Sequence, residues 1–192
     1  MTHDRDQSSK PAGLPADHII QHAGPQLFHV VLVEPEIPNN TGNIGRTCVA
    51  LGCALHLVHP LGFDVSEKAC RRSGLDYWPR LPVRHYEHWQ DFSLRSNTKR
   101  MWMLTTKAKR SVFDVSLEVG DALVFGKETR GLDESLLAQH PDQCISLPMV
   151  ANERSLNLAT AVCAVVYEGV RQAIKRGDCA VNEAGRLVMR ER

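Results

Sequence analysis

No stretch of this 192-residue chain approaches the roughly 20 apolar residues of a membrane-crossing helix; the longest apolar run is Ala161–Tyr167. Charge of one sign is also missing. Lys and Arg total 23 against 22 Asp and Glu, a net charge of +1. That balance excludes an indiscriminate polyanion binder and confines any nucleic-acid contact to a local patch. The six cysteines, at 48, 53, 70, 144, 163 and 179, contain no C-x-x-C pair. Buried structural thiols are therefore expected rather than zinc ligands or disulfides. Among nine histidines, neither His56/His59 nor His85/His88 forms an H-E-x-x-H motif or sits beside a third ligand. Surface histidines and no metal are the expectation.

The familiar nucleotide and hydrolase motifs are absent as well. There is no G-x-G-x-x-G, only the fragment Gly42-x-x-Gly45. Gly126-Lys127 lacks the rest of a P-loop, because Glu128 stands at the Ser/Thr position and Asp121 at the first glycine. Without G-x-S-x-G, a serine hydrolase has little support. No internal repeat is visible. Residues 1–26 are polar and carry Pro11, Gly13, Pro15, Gly24 and Pro25. They read as a flexible extension without the apolar segment of a secretory signal, so a cytoplasmic location is expected.

What is present is an ordinary globular composition, 43% hydrophobic and 23% charged, enough for a real core. The run Phe28–Val33 is apolar apart from His29, as in a strand buried on both faces of a parallel sheet. Pro35 and Pro38 force a loop, and Asn39–Thr41 offer N-caps for a helix over Gly42–Leu51. Strands follow at Ala54–Val58, Met101–Thr105, Ala122–Phe125 and Cys144–Leu147. Helices are predicted at Ser66–Ser73, Tyr86–Leu94, Glu134–Gln139 and Ser155–Lys175. This alternation argues for an α/β domain over residues 27–176 with a mainly parallel sheet flanked by helices. Residues 177–192 read as a charged, loosely held tail.

Three loops follow strands, where open α/β sheets bind ligands. They are Glu34-Pro-Glu-Ile-Pro-Asn-Asn-Thr-Gly-Asn-Ile-Gly-Arg46, Phe125-Gly-Lys-Glu-Thr-Arg-Gly-Leu132 and Leu147-Pro-Met-Val-Ala-Asn-Glu-Arg-Ser-Leu-Asn157. A candidate RNA patch lies at Arg95–Arg110, with Arg95, Lys99, Arg100, Lys107, Lys109 and Arg110. A solvated loop explains that patch equally well.

Together the three loops resemble the signature motifs of the SPOUT superfamily of RNA 2′-O-methyltransferases. The nearest resemblance is to the short TrmL-type subgroup that modifies the tRNA wobble nucleotide. G-L-D-Y-W (74–78) and L-T-T-K (104–107) also fit that subgroup, and the resemblance covers about Phe28–Gln172. It implies a C-terminal trefoil knot, S-adenosylmethionine as methyl donor, a tRNA substrate and a homodimer with an RNA site shared between subunits. Residue by residue, it implies a cofactor pocket of Leu104, Gly126, Leu147 and Ser155. Glycines 126 and 131 would let the backbone approach the ligand closely.

Arg46 matches the motif-one arginine that activates the hydroxyl. Arginine is a poor base, holding its proton to above about pH 12. Orienting the hydroxyl or phosphate and stabilising developing negative charge is the role it fits. The resemblance further implies substrate contacts for Asn43, Glu128, Arg154, Asn157 and Tyr167. Simple alternatives stand beside these: helix capping for Asn43 and Ser155, a structural hydrogen bond for Glu128, surface charge for Arg154 and core packing for Tyr167. Lys127 departs from the pattern, standing where close relatives often carry proline, and Asn39 stands where some have a second proline.

Two further functions remain open on sequence: the same chemistry on ribosomal RNA or another tRNA position, and an RNA-binding protein without catalysis. A small-molecule α/β enzyme is a third, one that predicts neither cofactor binding nor RNA dependence.

Overall fold

The computed structural model describes residues 26–72, 74–98 and 100–190. The expectations for residues 1–25, Ser73 and Lys99 lie outside the described residues. Apolar runs set the central strands. β1 (His29–Val33) pairs in parallel with β2 (Ala54–Val58) on one side and with β5 (Ala122–Phe125) on the other. β3 (Val83–Tyr86) extends the sheet beyond β2, and β4 (Met101–Leu104) joins β5 to β6 (Cys144–Ile145). The order is β3-β2-β1-β5-β4-β6, all parallel.

Both faces of the sheet are covered, which is why its strands are mostly apolar. Val30 and Leu32 of β1 join the larger core under α1 (Pro38–Leu51) and α5 (Leu158–Arg176), while Val31 points to a second cluster. That cluster includes Phe92 of α3 (Trp89–Arg95) and Leu136 of α4 (Glu134–Gln139). On α5, Val162, Val165, Val166, Gly169, Val170 and Ala173 are buried, a stripe at i, i+3, i+4, i+7, i+8 and i+11. The short helix α2 (Glu67–Arg72) and the segment 75–81 close over α1. There Leu81 and Trp78 crowd Gly45, where a Cβ would lie 2.9 and 3.1 Å from their side chains. No described helix is long and apolar enough to cross a membrane.

Several expectations are corrected. β3 was not foreseen, because Arg84 interrupts its short apolar pattern; the segment 86–94 divides between β3 and α3. The tail is not loose over its described length. Gly177 ends α5 at φ 85 and turns the chain into an antiparallel hairpin of β7 (Cys179–Val181) and β8 (Leu187–Met189). Cys179, 1% exposed, anchors that hairpin in the main core.

The histidines are not all superficial. His56 and His85 are 2% and 3% exposed. His29 Nδ1 lies 2.9 Å from His56 Nε2, whose ring also meets Tyr86 Oη at 2.9 Å. Burial, with smaller effects from His29 and Arg84, pushes the His56 pKa well below the usual histidine range, so its ring packs as a neutral group. The cysteines are free, with 48, 53, 70 and 179 buried and 144 and 163 half-buried. Burial pushes the Cys53 thiol up to about 12, far from a reactive thiolate.

Candidate functional site

A cavity of about 560 Å³ opens where β4, β5 and β6 end. Its wall comes from the loops after those strands and from the start of α1. Leu104, Gly126, Leu147 and Ser155, drawn from four separate stretches of sequence, all line it. Glu128, Arg154 and Asn157 line it too. Arg46, Asn43 and Tyr167 do not.

The start of α1 is held from outside its own sequence. The helix begins at Pro38 with Ile37 as N-cap and no capping side chain of its own, earlier than Asn39–Thr41 suggested. Pro38 suits a first helical position because its missing N–H would go unpaired there anyway. Glu128 supplies the acceptors instead. One carboxylate oxygen accepts from Glu36 N at 2.8 Å, the other from Ile37 N at 3.2 Å and Asn40 Nδ2 at 2.9 Å. A carboxylate beside a helix N-terminus also meets the positive end of the helix dipole.

Asn40, which sequence reasoning treated only as a capping candidate, is the hub of the site. It is 6% exposed and lines the cavity. Its Nδ2 donates to Glu128 while its Oδ1 accepts from Asn157 Nδ2 at 2.9 Å. Asn157 Oδ1 accepts from Ala159 N and Thr160 N and so caps α5. The amide orientations are forced, because the carboxylate at one end only accepts and the helix N–H groups at the other only donate. The helix thus starts at Leu158, and Ser155 is a cavity residue rather than its cap. Nothing local in the sequence signals this series of hydrogen bonds beyond its two asparagines, one in each of two loop motifs.

Two further ties hold the first and second loops together. Thr129 donates from N and Oγ1 to the Glu36 carboxylate at 3.0 and 2.8 Å. Lys127 pairs with Glu34 at 2.6 Å, and Glu34 takes a left-handed backbone, φ 50, uncommon without glycine. The Lys127 side chain therefore adds a tie of its own between the two loops.

A Cβ on Gly126 would meet the backbone of Gly131 and Leu132, and Gly131 takes a φ of 71°, so both glycines are required by the close fold of the loop itself. In the basic segment, Arg100 is structural: it pairs with Asp121 at 2.7 Å, and the same carboxylate accepts from Trp102 Nε1 at 2.9 Å. Arg95 pairs with Asp91. Lys107, Lys109 and Arg110 remain beside a second cavity of about 600 Å³ that shares Thr105 and Lys107 with the first.

Arg46 lies elsewhere, stacked 4.5 Å over the Tyr77 ring with Asp76 at 3.9 Å. Asn43 lines a smaller cavity of about 200 Å³ on the same side of α1. Tyr167 is 54% exposed on the outer face of α5, so core packing does not account for it. Among the described residues no group of three or more metal-ligating side chains converges.

Glu128→Gln is expected to behave almost like Glu128→Ala. Both carboxylate oxygens face donors, so an amide NH2 must oppose one of them. A loss of about 2 kcal/mol is expected for these partly exposed bonds. Thermal unfolding checks it; a glutamine variant as stable as wild type would show that the carboxylate does not hold the start of α1.

A cavity walled by loops at the carboxyl ends of parallel strands defines an α/β protein that takes a small ligand there. Residues 27–167 match the SpoU rRNA Methylase family, and the chain belongs to that family. Relatives from Saccharophagus degradans and Escherichia coli K12 are both named tRNA (cytidine(34)-2′-O)-methyltransferase. Each is 46% identical over 147 residues, covering 76% of this chain and 96% and 94% of its own. A solved structure described as giving insights into the 2-OH methylation of C/U34 on tRNA shares 40% identity at a TM-score of 0.73. The match covers 80% of this chain and all of that one. The methyltransferase AviRb of Streptomyces viridochromogenes, in complex with AdoMet, shares 27% identity at a TM-score of 0.67, over 84% of this chain and 67% of its own.

Proposed function

We propose that this protein transfers a methyl group from S-adenosylmethionine to the ribose 2′-OH of the tRNA wobble nucleotide, cytidine or modified uridine at anticodon position 34. The observation that carries this reading is the convergence of Leu104, Gly126, Leu147 and Ser155 in one cavity, in a chain 46% identical to relatives named for that reaction.

The cavity suits the cofactor. Its volume lies within the range of small-molecule sites, about 300–1,000 Å³. Leu104, Leu132, Leu147 and Leu158 give it apolar walls for an adenine ring. The loops 104–107 and 126–132 that line it bring backbone donors and acceptors to the polar parts. Bound there, the cofactor supplies an electrophilic methyl carbon on a positively charged sulfur. Asn40, Glu128 and Asn157 keep the three loops in register, so the target ribose is held in line for attack. Arg46 orients the target and stabilises the negative charge that develops on its oxygen.

Arg46 does not line the cavity of its own chain. Asn40 faces the cavity, and six residues further along α1 the chain has advanced about 9 Å and turned about 120° away. We therefore assign a two-fold homodimer, in which Arg46 and the exposed Tyr167 of one subunit serve the cavity of the other. The proposal includes the trefoil knot. Supporting it, β6 is the outermost strand beside β4, yet the chain after it returns to Asn40 and α5 crosses to pack against α1.

The test is transfer of labelled methyl from S-adenosylmethionine to bulk tRNA and, in parallel, to ribosomal RNA, with the modified nucleotide mapped. Label is expected on the 2′-O of nucleotide 34. Label confined to ribosomal RNA would reassign the substrate within the family chemistry, and cofactor binding without any transfer would leave an RNA-binding protein.

A further inference from the structure

The charge around the cofactor cavity is the wrong sign for its cofactor. Lys107, Lys127, Arg130 and Arg154 all line it. Glu128 is its one acidic lining side chain among the described residues, and that carboxylate is turned into the start of α1. S-adenosylmethionine carries a sulfonium and an ammonium against a single carboxylate, so it is itself a net cation. Cations around a cationic ligand oppose its binding wherever no carboxylate neutralises them. Their presence calls for a second, negatively charged occupant at the mouth.

We infer that this ring is a phosphate clamp for the RNA backbone on either side of the target ribose, with Arg130 as its fixed arm. The inference rests on the RNA-methylating reading above and names the groups that seat the substrate. Two of the four cations are already engaged: Lys107 with Glu134 at 2.5 Å and Lys127 with Glu34 at 2.6 Å. Arg130 and Arg154 are exposed, and neither makes an ion pair among the described residues.

Arg130 differs from Arg154 in how its backbone is held. It sits between Thr129, tied to Glu36, and Gly131, whose N–H donates to Lys127 O at 2.9 Å. Its loop is therefore stiff before RNA arrives, and little ordering is lost on contact. The guanidinium fork matches two phosphate oxygens at once, which a lysine cannot do. Phosphate contacts of this kind set register without reading bases, which suits an enzyme whose reacting atom is on the sugar.

The experiment measures tRNA binding across a salt series, and cofactor binding by calorimetry, for wild type, Arg130→Ala, Arg130→Lys and Arg154→Ala. Arg186→Ala, on the turn of the β7–β8 hairpin, controls for net charge. Arg130→Ala is expected to weaken tRNA binding about tenfold near 0.15 M salt and to lower the log–log salt slope by about 0.7–0.9. Its cofactor affinity should be unchanged or tighter, since a repelling charge has gone. Arg130→Lys should keep the slope and recover only part of the affinity. An Arg130→Ala slope equal to wild type, a slope loss matched by Arg186→Ala, or weakened cofactor binding would each overturn the clamp. Absence of tRNA binding and methylation by wild type would overturn the reading beneath it as well.

Discussion

Gly126→Ala is expected to weaken binding of S-adenosylmethionine severely. A Cβ at that position would lie 2.1 Å from Gly131 C, 2.2 Å from Leu132 N and 2.3 Å from Gly131 O. All three are backbone atoms, so no side-chain rotation relieves the clash, and the loop 126–132 must move by more than an ångström. That loop carries Glu128, so the movement also withdraws the acceptors at the start of α1. A cost of about 3 kcal/mol and a fall in cofactor affinity on the order of 100-fold or more are expected.

Gly131→Ala is the internal comparison. Its φ of 71° is strained for alanine, but nothing lies within 4 Å of the added methyl. A cost of only about 1–2 kcal/mol is expected there, with binding retained. Calorimetric titration of both variants decides the matter: equal affinities would mean that the tight self-approach of this loop does not shape the cofactor cavity.

Arg46→Ala and Gly126→Ala are each expected to be inactive alone and to regain about a quarter of wild-type methyl transfer when mixed and allowed to exchange subunits. The reason is geometric. Arg46 stacks on Tyr77, away from the cavity that Gly126 helps to form. In a two-fold dimer, a mixed pair has one site with both defects and one with neither. Random exchange of equal amounts makes half the dimers mixed, each with half its sites intact. Should Gly126→Ala not fold, Leu104→Arg, which places a charge in the same cavity, takes its role. Activity that stays at zero after demonstrated exchange would place Arg46 in the site of its own chain, or outside catalysis.

Much of this architecture was legible in one dimension. β2, β5 and α4 appear over the residues predicted for them, because an apolar run between turn residues leaves a doubly covered parallel strand few alternatives. The residues proposed for the cofactor were legible only through resemblance; no spacing rule would have gathered Leu104 with Ser155 in one cavity. The errors cluster where the partner of a residue is remote. The start of α1 was misplaced because its acceptors come from Glu128, 91–92 positions away. The start of α5 was misplaced by three residues because Asn157, not Ser155, accepts from its first N–H groups. The histidines read as superficial because burial of His56 and His85 follows from the cover over β2 and β3, which hydropathy does not reveal.

The sequence by itself determined the α/β class, five of the six strands of the parallel sheet, and the three loops that follow strands, since apolar periodicity and turn residues act over a few positions. Tertiary structure alone decided that Asn40 would join Glu128 and Asn157 across 88 and 117 residues, that Arg100 would be spent on Asp121, and that Arg46 would face away from the cavity. Those outcomes depend on which groups are desolvated together. A buried polar atom takes the partner that the folded chain brings within about 3 Å, whatever its distance along the sequence.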